Sequence, residues 1–167
     1  KTSNAFKGMY AAKIKNVITF NGDTTGFIEN ESLGDSLLQI GLPLKHANPD
    51  SITGYYKYFP AGKDTALVAY NLRKYDKQRN KSNTLIREVR QLPAVDSYRR
   101  FSIPVNYHGN EVADTFNIAF AAGNLASRGK AMPHSKLIID EVQLSYPENA
   151  FINKKPEDQS NYEVYPN

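Results

Sequence analysis

Between Ser51 and Phe59 the residues alternate in kind. Ile52, Gly54, Tyr56 and Tyr58 fall on one side of an extended chain, and Thr53, Tyr55, Lys57 and Phe59 fall on the other. A period of two cannot be laid along one face of a helix, whose period is about 3.6. The pattern returns in Arg100–Tyr107, where Phe101, Ile103, Val105 and Tyr107 alternate with Arg100, Ser102, Pro104 and Asn106. It returns again where Phe116, Ile118 and Phe120 alternate with Asn117, Ala119 and Ala121. Strands with one apolar and one mixed face belong to antiparallel sheets packed on a single side. The small outward residues Asn117, Ala119 and Ala121 leave space above their sheet, so that face is a candidate groove.

Strand-type runs bounded by Gly, Pro, Asn and Asp continue through the chain, and Tyr and Phe supply 19 residues while Trp supplies none. The expected strands are Tyr10–Thr19, Gly26–Glu31, Ser36–Leu42, Ser51–Phe59, Asp64–Lys74, Thr84–Gln91, Arg100–Tyr107, Asp114–Ala121 and Lys136–Ser145. About nine strands fit an all-β, antiparallel β-sandwich of jelly-roll type. Turn residues lie between them at Asn21-Gly22-Asp23, Pro60-Ala61-Gly62, His108-Gly109-Asn110 and Gly123-Asn124. One helical turn is expected at Pro93–Tyr98, where proline suits a first helical position. Residues 1–146 are read as the domain, and 147–167, with Lys154-Lys155-Pro156-Glu157-Asp158, as a polar linker leaving it.

The chain has no Cys, which removes thiolate zinc sites, cysteine nucleophiles and redox motifs. At 167 residues it can bury a core without disulfides. No apolar run approaches the roughly 20 residues that span a bilayer, and a start at Lys1 without Met is read as a mature or excised piece. His46, His108 and His134 lie far apart without the spacing of a zinc motif. No nucleophile elbow or phosphate loop is present.

Four segments occur in an order that carries a resemblance: Gly41-Leu42-Pro43-Leu44, Ser51 through Pro60 with its Gly54-Tyr55-Tyr56-Lys57-Tyr58 centre, Phe101-Ser102-Ile103-Pro104-Val105, and Leu137 through Leu144 with Ile139-Asp140-Glu141-Val142. Over Phe6 to Tyr146 the chain resembles the "putative carbohydrate metabolism domain", a jelly roll related to galactose-binding-like and carbohydrate-binding modules of secreted or surface proteins of Bacteroidetes-type bacteria. In the tail, Val164-Tyr165-Pro166-Asn167 resembles the opening of the C-terminal sorting domain of type IX secretion. Together these imply a secreted or cell-surface protein with other domains on the same polypeptide.

The resemblance implies a sugar platform at Tyr55 and Lys57, where an aromatic ring carries the apolar face of a pyranose and the ammonium donates to its oxygens. The plain alternative is cross-strand packing on an exposed sheet face. Asn71 and Arg73, expected on a neighbouring strand, and Asn117 on another, would add directed polar contacts. The run Arg73 to Lys81 holds five cations and one carboxylate and is read as a long loop. It is either solvated or attractive to an acidic polysaccharide such as a uronate or sulfated glycan, and no nucleic-acid motif accompanies it. Sugar-binding jelly rolls often hold a structural calcium, which makes Asp140 the expected metal ligand, although calcium needs about six to eight oxygens. The function expected is a non-catalytic carbohydrate-binding module. The alternatives are a structural or adhesive spacer, or a small polysaccharide-acting enzyme with clustered carboxylates or a Tyr, His and Arg constellation in one cleft.

Overall fold

The computed structural model of the chain describes residues 1–18, 20, 24–30, 41–44, 48–123 and 132–147. Every regular element among them is a strand: β1 (Ala12–Lys15), β2 (Val17–Ile18), β3 (Thr24–Thr25), β4 (Phe27–Glu29), β5 (Leu42–Pro43), β6 (Ser51–Phe59), β7 (Ala66–Asp76), β8 (Lys81–Leu92), β9 (Val95–Pro104), β10 (Thr115–Ala121) and β11 (Lys136–Ser145). One antiparallel sheet has the order β1-β11-β6-β9. The other runs β4-β10-β7-β8, with β5 also pairing β10, and β2 with β3 forms a separate small ribbon.

The two sheets pack face to face as the alternation requires. Ile52, Tyr56 and Tyr58 of β6, Phe101 and Ile103 of β9, and Leu137 and Ile139 of β11 meet Val68, Tyr70 and Leu72 of β7 and Phe116, Ile118 and Phe120 of β10 in one core. Burying each such side chain contributes about 1.5–3 kcal/mol. The chain is therefore the all-β antiparallel sandwich that its sequence implied. Gly54 is needed inside β6 because a Cβ there would lie 2.6 Å from the Phe101 ring, which crosses over that position.

Four local expectations change. Pro93–Tyr98 forms no helical turn: β8 and β9 belong to different sheets, only residues 93 and 94 join them, and Leu92 and Val95 on either side both pack against the core. The basic run is not a long loop either. Asp76 Oδ1 accepts from the backbone N–H groups of Gln78 and Arg79, Asn80 takes a left-handed φ of 49°, and the resulting short turn puts Arg73 and Lys74 in β7 and Lys81 in β8.

The expected first strand is divided at Asn16. This residue is buried, and its amide donates to Asp64 Oδ2 at 3.0 Å and to the carbonyls of Met132 and Ala122 at 3.2 and 3.3 Å. The same Asp64 oxygen accepts from Ser135 Oγ and the Met132 N–H, so a polar cluster closes this end of the sandwich. Finally, Asn117 and Ala121, expected above an open groove, are 7% and 6% exposed. Gly41 lies directly on Asn117, where an added Cβ would come within 3.2 Å of the Asn117 Cβ. Most of the expected strand 36–42, the linker after residue 147 and the sorting motif at 164–167 lie outside the described residues, as does His46.

Candidate functional site

The five residues expected to share one binding face are divided by the sandwich. Tyr55 and Lys57 alternate with the buried Tyr56 and Tyr58 and therefore face outward from the β1-β11-β6-β9 sheet. Asn71, Arg73 and Asn117 alternate with Tyr70, Leu72, Phe116 and Ile118 and lie on the outer side of the opposite sheet. The β7 strand does not neighbour β6, because the chain changes sheets between them.

The face around Tyr55 is covered by the chain's own N-terminal segment. Reciprocal backbone hydrogen bonds between Thr2 and Ala11, at 3.0 and 2.9 Å, close residues 2–11 into a strap. From it, Phe6 stacks on Tyr55 with ring centroids 3.7 Å apart and an interplanar angle of 14°, and meets Tyr98 edge-on at 5.6 Å. Lys57 Nζ donates to Asn4 Oδ1 at 3.1 Å and sits 4.4 Å from the Tyr98 ring centroid. The Tyr98 hydroxyl donates to the Asn4 carbonyl, and burial followed by the nearby Asp140 charge pushes its pKa up to about 12. The ring face expected to carry a pyranose is thus occupied by Phe6.

Asp140 anchors the same strap. Its Oδ2 accepts the N–H groups of Phe6 and Lys7 at 2.7 and 3.1 Å, its Oδ1 accepts the Glu141 N–H at 2.9 Å, and Lys7 Nζ lies 3.5 Å from Glu141 Oε2. A calcium ion needs a shell of oxygens, and among the described residues no group of three or more His, Cys, Asp or Glu could hold a metal ion. With both Asp140 oxygens turned to backbone donors, this donor set does not fit calcium.

On the opposite face the register builds rows across the sheet. Glu29, Ala119, Ala69 and Val89 form one, and Asn117, Asn71 and Arg87 form the next. A shift in the β7–β8 pairing then sets Arg73 opposite Thr84, with Thr115 on its other side. The alanines form a low floor beside these longer polar side chains. Asn117 gives its amide to the Asn30 carbonyl at 3.3 Å and is buried, whereas Asn71 is half-buried and Arg87 exposed. Arg73 is half-buried, and its Nε is enclosed with no hydrogen-bond partner among the described residues.

Beyond β8 the surface turns the corner of the sandwich into a shallow cleft of about 340 Å³, lined by Arg90, Gln91, Pro93, Arg99, Arg100 and Ser102 above the buried rings of Tyr56 and Phe101. Glu88 Oε2 lies 2.9 Å from Arg90 Nη2, in an ion pair whose alignment falls outside that of a hydrogen bond. Beside Glu88, the Tyr70 phenol is pushed up to about 12, first by burial and then by the carboxylate. Among the described residues, Arg73, Arg87, Arg99 and Arg100 make no ion pair. Sequence reading missed Arg87, Arg90, Arg99 and Arg100. The first two sit in a strand whose burial phase is unclear from its mixed residues, and Arg99 fell between the turn expected at Pro93–Tyr98 and the strand expected from Arg100.

No protein-family model matches the chain, and no curated protein matches it. Among the solved structures that share its fold are two from Bacteroides species. One, a "putative glycoside hydrolase" from Bacteroides thetaiotaomicron, superposes with a TM-score of 0.63 at 19% identity over 87% of this chain. The second, a "putative glycoside hydrolase" from Bacteroides vulgatus, gives a TM-score of 0.52 at 15% identity over 81% of this chain and 72% of its own. This chain spans 55% of the first protein. The expectation of a chain that is not an enzyme is corrected here, since these two structures that share the fold are named for hydrolysis rather than for binding alone. Neither comparison brings up a type IX sorting domain.

Proposed function

We propose that the chain is a carbohydrate-engaging β-sandwich of a glycan-acting protein, holding its ligand on the outer face of β7 and β8. The observation that carries this reading is the adjacency of Asn71, Arg73 and Arg87 on one outward sheet face. Glycans present many oxygens at fixed spacing, and planar amide and guanidinium donors recognise them by direction. The naming of the two described fold neighbours as glycoside hydrolases, and the sequence resemblance to a carbohydrate domain, support the same ligand class. A secreted or cell-surface location, with further domains on the polypeptide, belongs to this reading through that resemblance.

The test is a glycan array probed with the purified chain, followed by affinity measurement and an assay of reducing ends released from each bound glycan. The reading expects at least one glycan class to bind, and Arg73→Ala and Asn71→Ala each to weaken it. Release of reducing ends would place hydrolysis in this chain itself. Absence of binding across neutral and charged glycans would overturn the reading in favour of a spacer.

A further inference from the structure

Resting on that carbohydrate-engaging reading, we propose that the ligand is an anionic polysaccharide, bearing carboxylate or sulfate groups. It lies across β8 from Arg73 and Arg87 on the sheet face to Arg99 and Arg100 in the edge cleft. Charge is concentrated here. Residues 81–104 carry five cations (Lys81, Arg87, Arg90, Arg99, Arg100) against two carboxylates (Glu88, Asp96), a surplus of three in a chain whose net charge is +4. Glu88 is committed to Arg90, and Asp96 lines a neighbouring hollow together with Arg99. Arg73, Arg87 and Arg100 face no described carboxylate within ion-pair distance.

The geometry favours a chain over a small anion. Arg73 and Arg87 are near-diagonal neighbours across β7 and β8, while Arg90 follows Arg87 by three residues, about 10 Å along the strand, and points to the other side. One carboxylate or sulfate cannot reach both sides of β8, but successive charged groups of a polymer can. Guanidinium groups meet such groups through paired N–H donors, which Lys cannot reproduce. The rings beneath the cleft, Tyr56 and Phe101, are 2% and 7% exposed and offer no stacking platform for nucleobases, so a charged glycan fits better than single-stranded nucleic acid.

The test measures affinity of the full chain for polygalacturonate, chondroitin sulfate, neutral xylan and single-stranded RNA at about 20 and about 300 mM salt. It uses the wild type, Arg73→Ala with Arg87→Ala, Arg99→Ala with Arg100→Ala, and Arg99→Lys with Arg100→Lys. The cleft pair is exposed, so those variants keep the fold even if the half-buried Arg73 proves structural. The expected result is binding of one or both anionic glycans, weakened about tenfold by salt and about tenfold by each alanine pair, with lysine restoring only part. Preference between the first two probes separates carboxylate from sulfate recognition. Binding confined to xylan would leave the carbohydrate reading standing and overturn this one, and binding of no glycan would overturn both. RNA binding as tight as that of the anionic glycans, or indifference to both arginine pairs, also overturns it.

Discussion

Replacing Phe6 by alanine should release the N-terminal strap while leaving the sandwich folded. Phe6 is 45% exposed, so about half of its ring area is covered by Tyr55 and Tyr98. A fully covered aromatic side chain buries about 150–250 Å², so the covered half is about 100 Å². At about 25 cal/mol per Å² that contributes at most about 2.5 kcal/mol, and the aromatic contacts add roughly 0.5–1.5 kcal/mol. Against this stands a cost of about 1–2 kcal/mol for ordering the backbone of each residue in the strap. The hydrogen bonds to Asp140 and Asn4 and the closing pair at Thr2 and Ala11 offset part of that cost, leaving the strap a thin margin. Losing about 2 kcal/mol should raise hydrogen exchange at the Phe6 and Lys7 amides about 30-fold, with core amides such as Tyr56 little changed. Asp140→Ala should act on the same amides. Unchanged exchange at Lys7, or equal acceleration in strap and core, would refute the claim that Phe6 pins a separately stable strap over Tyr55.

Gly54→Ala places a Cβ 2.6–2.7 Å from the Phe101 ring and 3.3 Å from the Val142 Cα, so urea denaturation should show a loss of about 1–3 kcal/mol, part of it recovered with Phe101→Leu. A neutral Gly54→Ala would mean that the core has slack there. Asp64→Ala removes the oxygen that accepts from the Asn16 amide, the Ser135 hydroxyl and the Met132 N–H, and should cost about 2–4 kcal/mol in the same assay. A loss below about 0.5 kcal/mol would count against the cluster as a structural clamp. At alkaline pH, Tyr58, Tyr70 and Tyr98 keep their protons in the folded chain to about pH 12, because burial opposes the phenolate, while the unfolded phenols ionise near pH 10. The stability they contribute is fully present below about pH 10 and is lost as pH rises toward about 12, so the urea midpoint should fall between pH 9 and pH 11 with phenolate absorbance appearing on unfolding. A midpoint that stays level across that range would contradict their burial.

The fold class and most core faces were legible because strand geometry is local. A period of two forces Ile52, Tyr56 and Tyr58 to one side and Tyr55 and Lys57 to the other, whatever the rest of the chain does. Which strands become neighbours is a different matter, set by packing between segments far apart in sequence. The connection after Phe59 moves the chain from one sheet to the other, and Asn71 and Arg73 consequently lie across the sandwich from Tyr55 rather than beside it. Nothing local to Tyr55 announces that Phe6 will stack on it, and nothing local to Asn117 announces Gly41 and Asn30 above it. The meeting of Arg90 with Arg99 and Arg100 in one cleft follows from the same cause. Their alternation along each strand was fixed by backbone geometry, but their convergence at one corner required the edges of β8 and β9 to lie side by side, which the burial of Leu92 and Phe101 in a common core brings about.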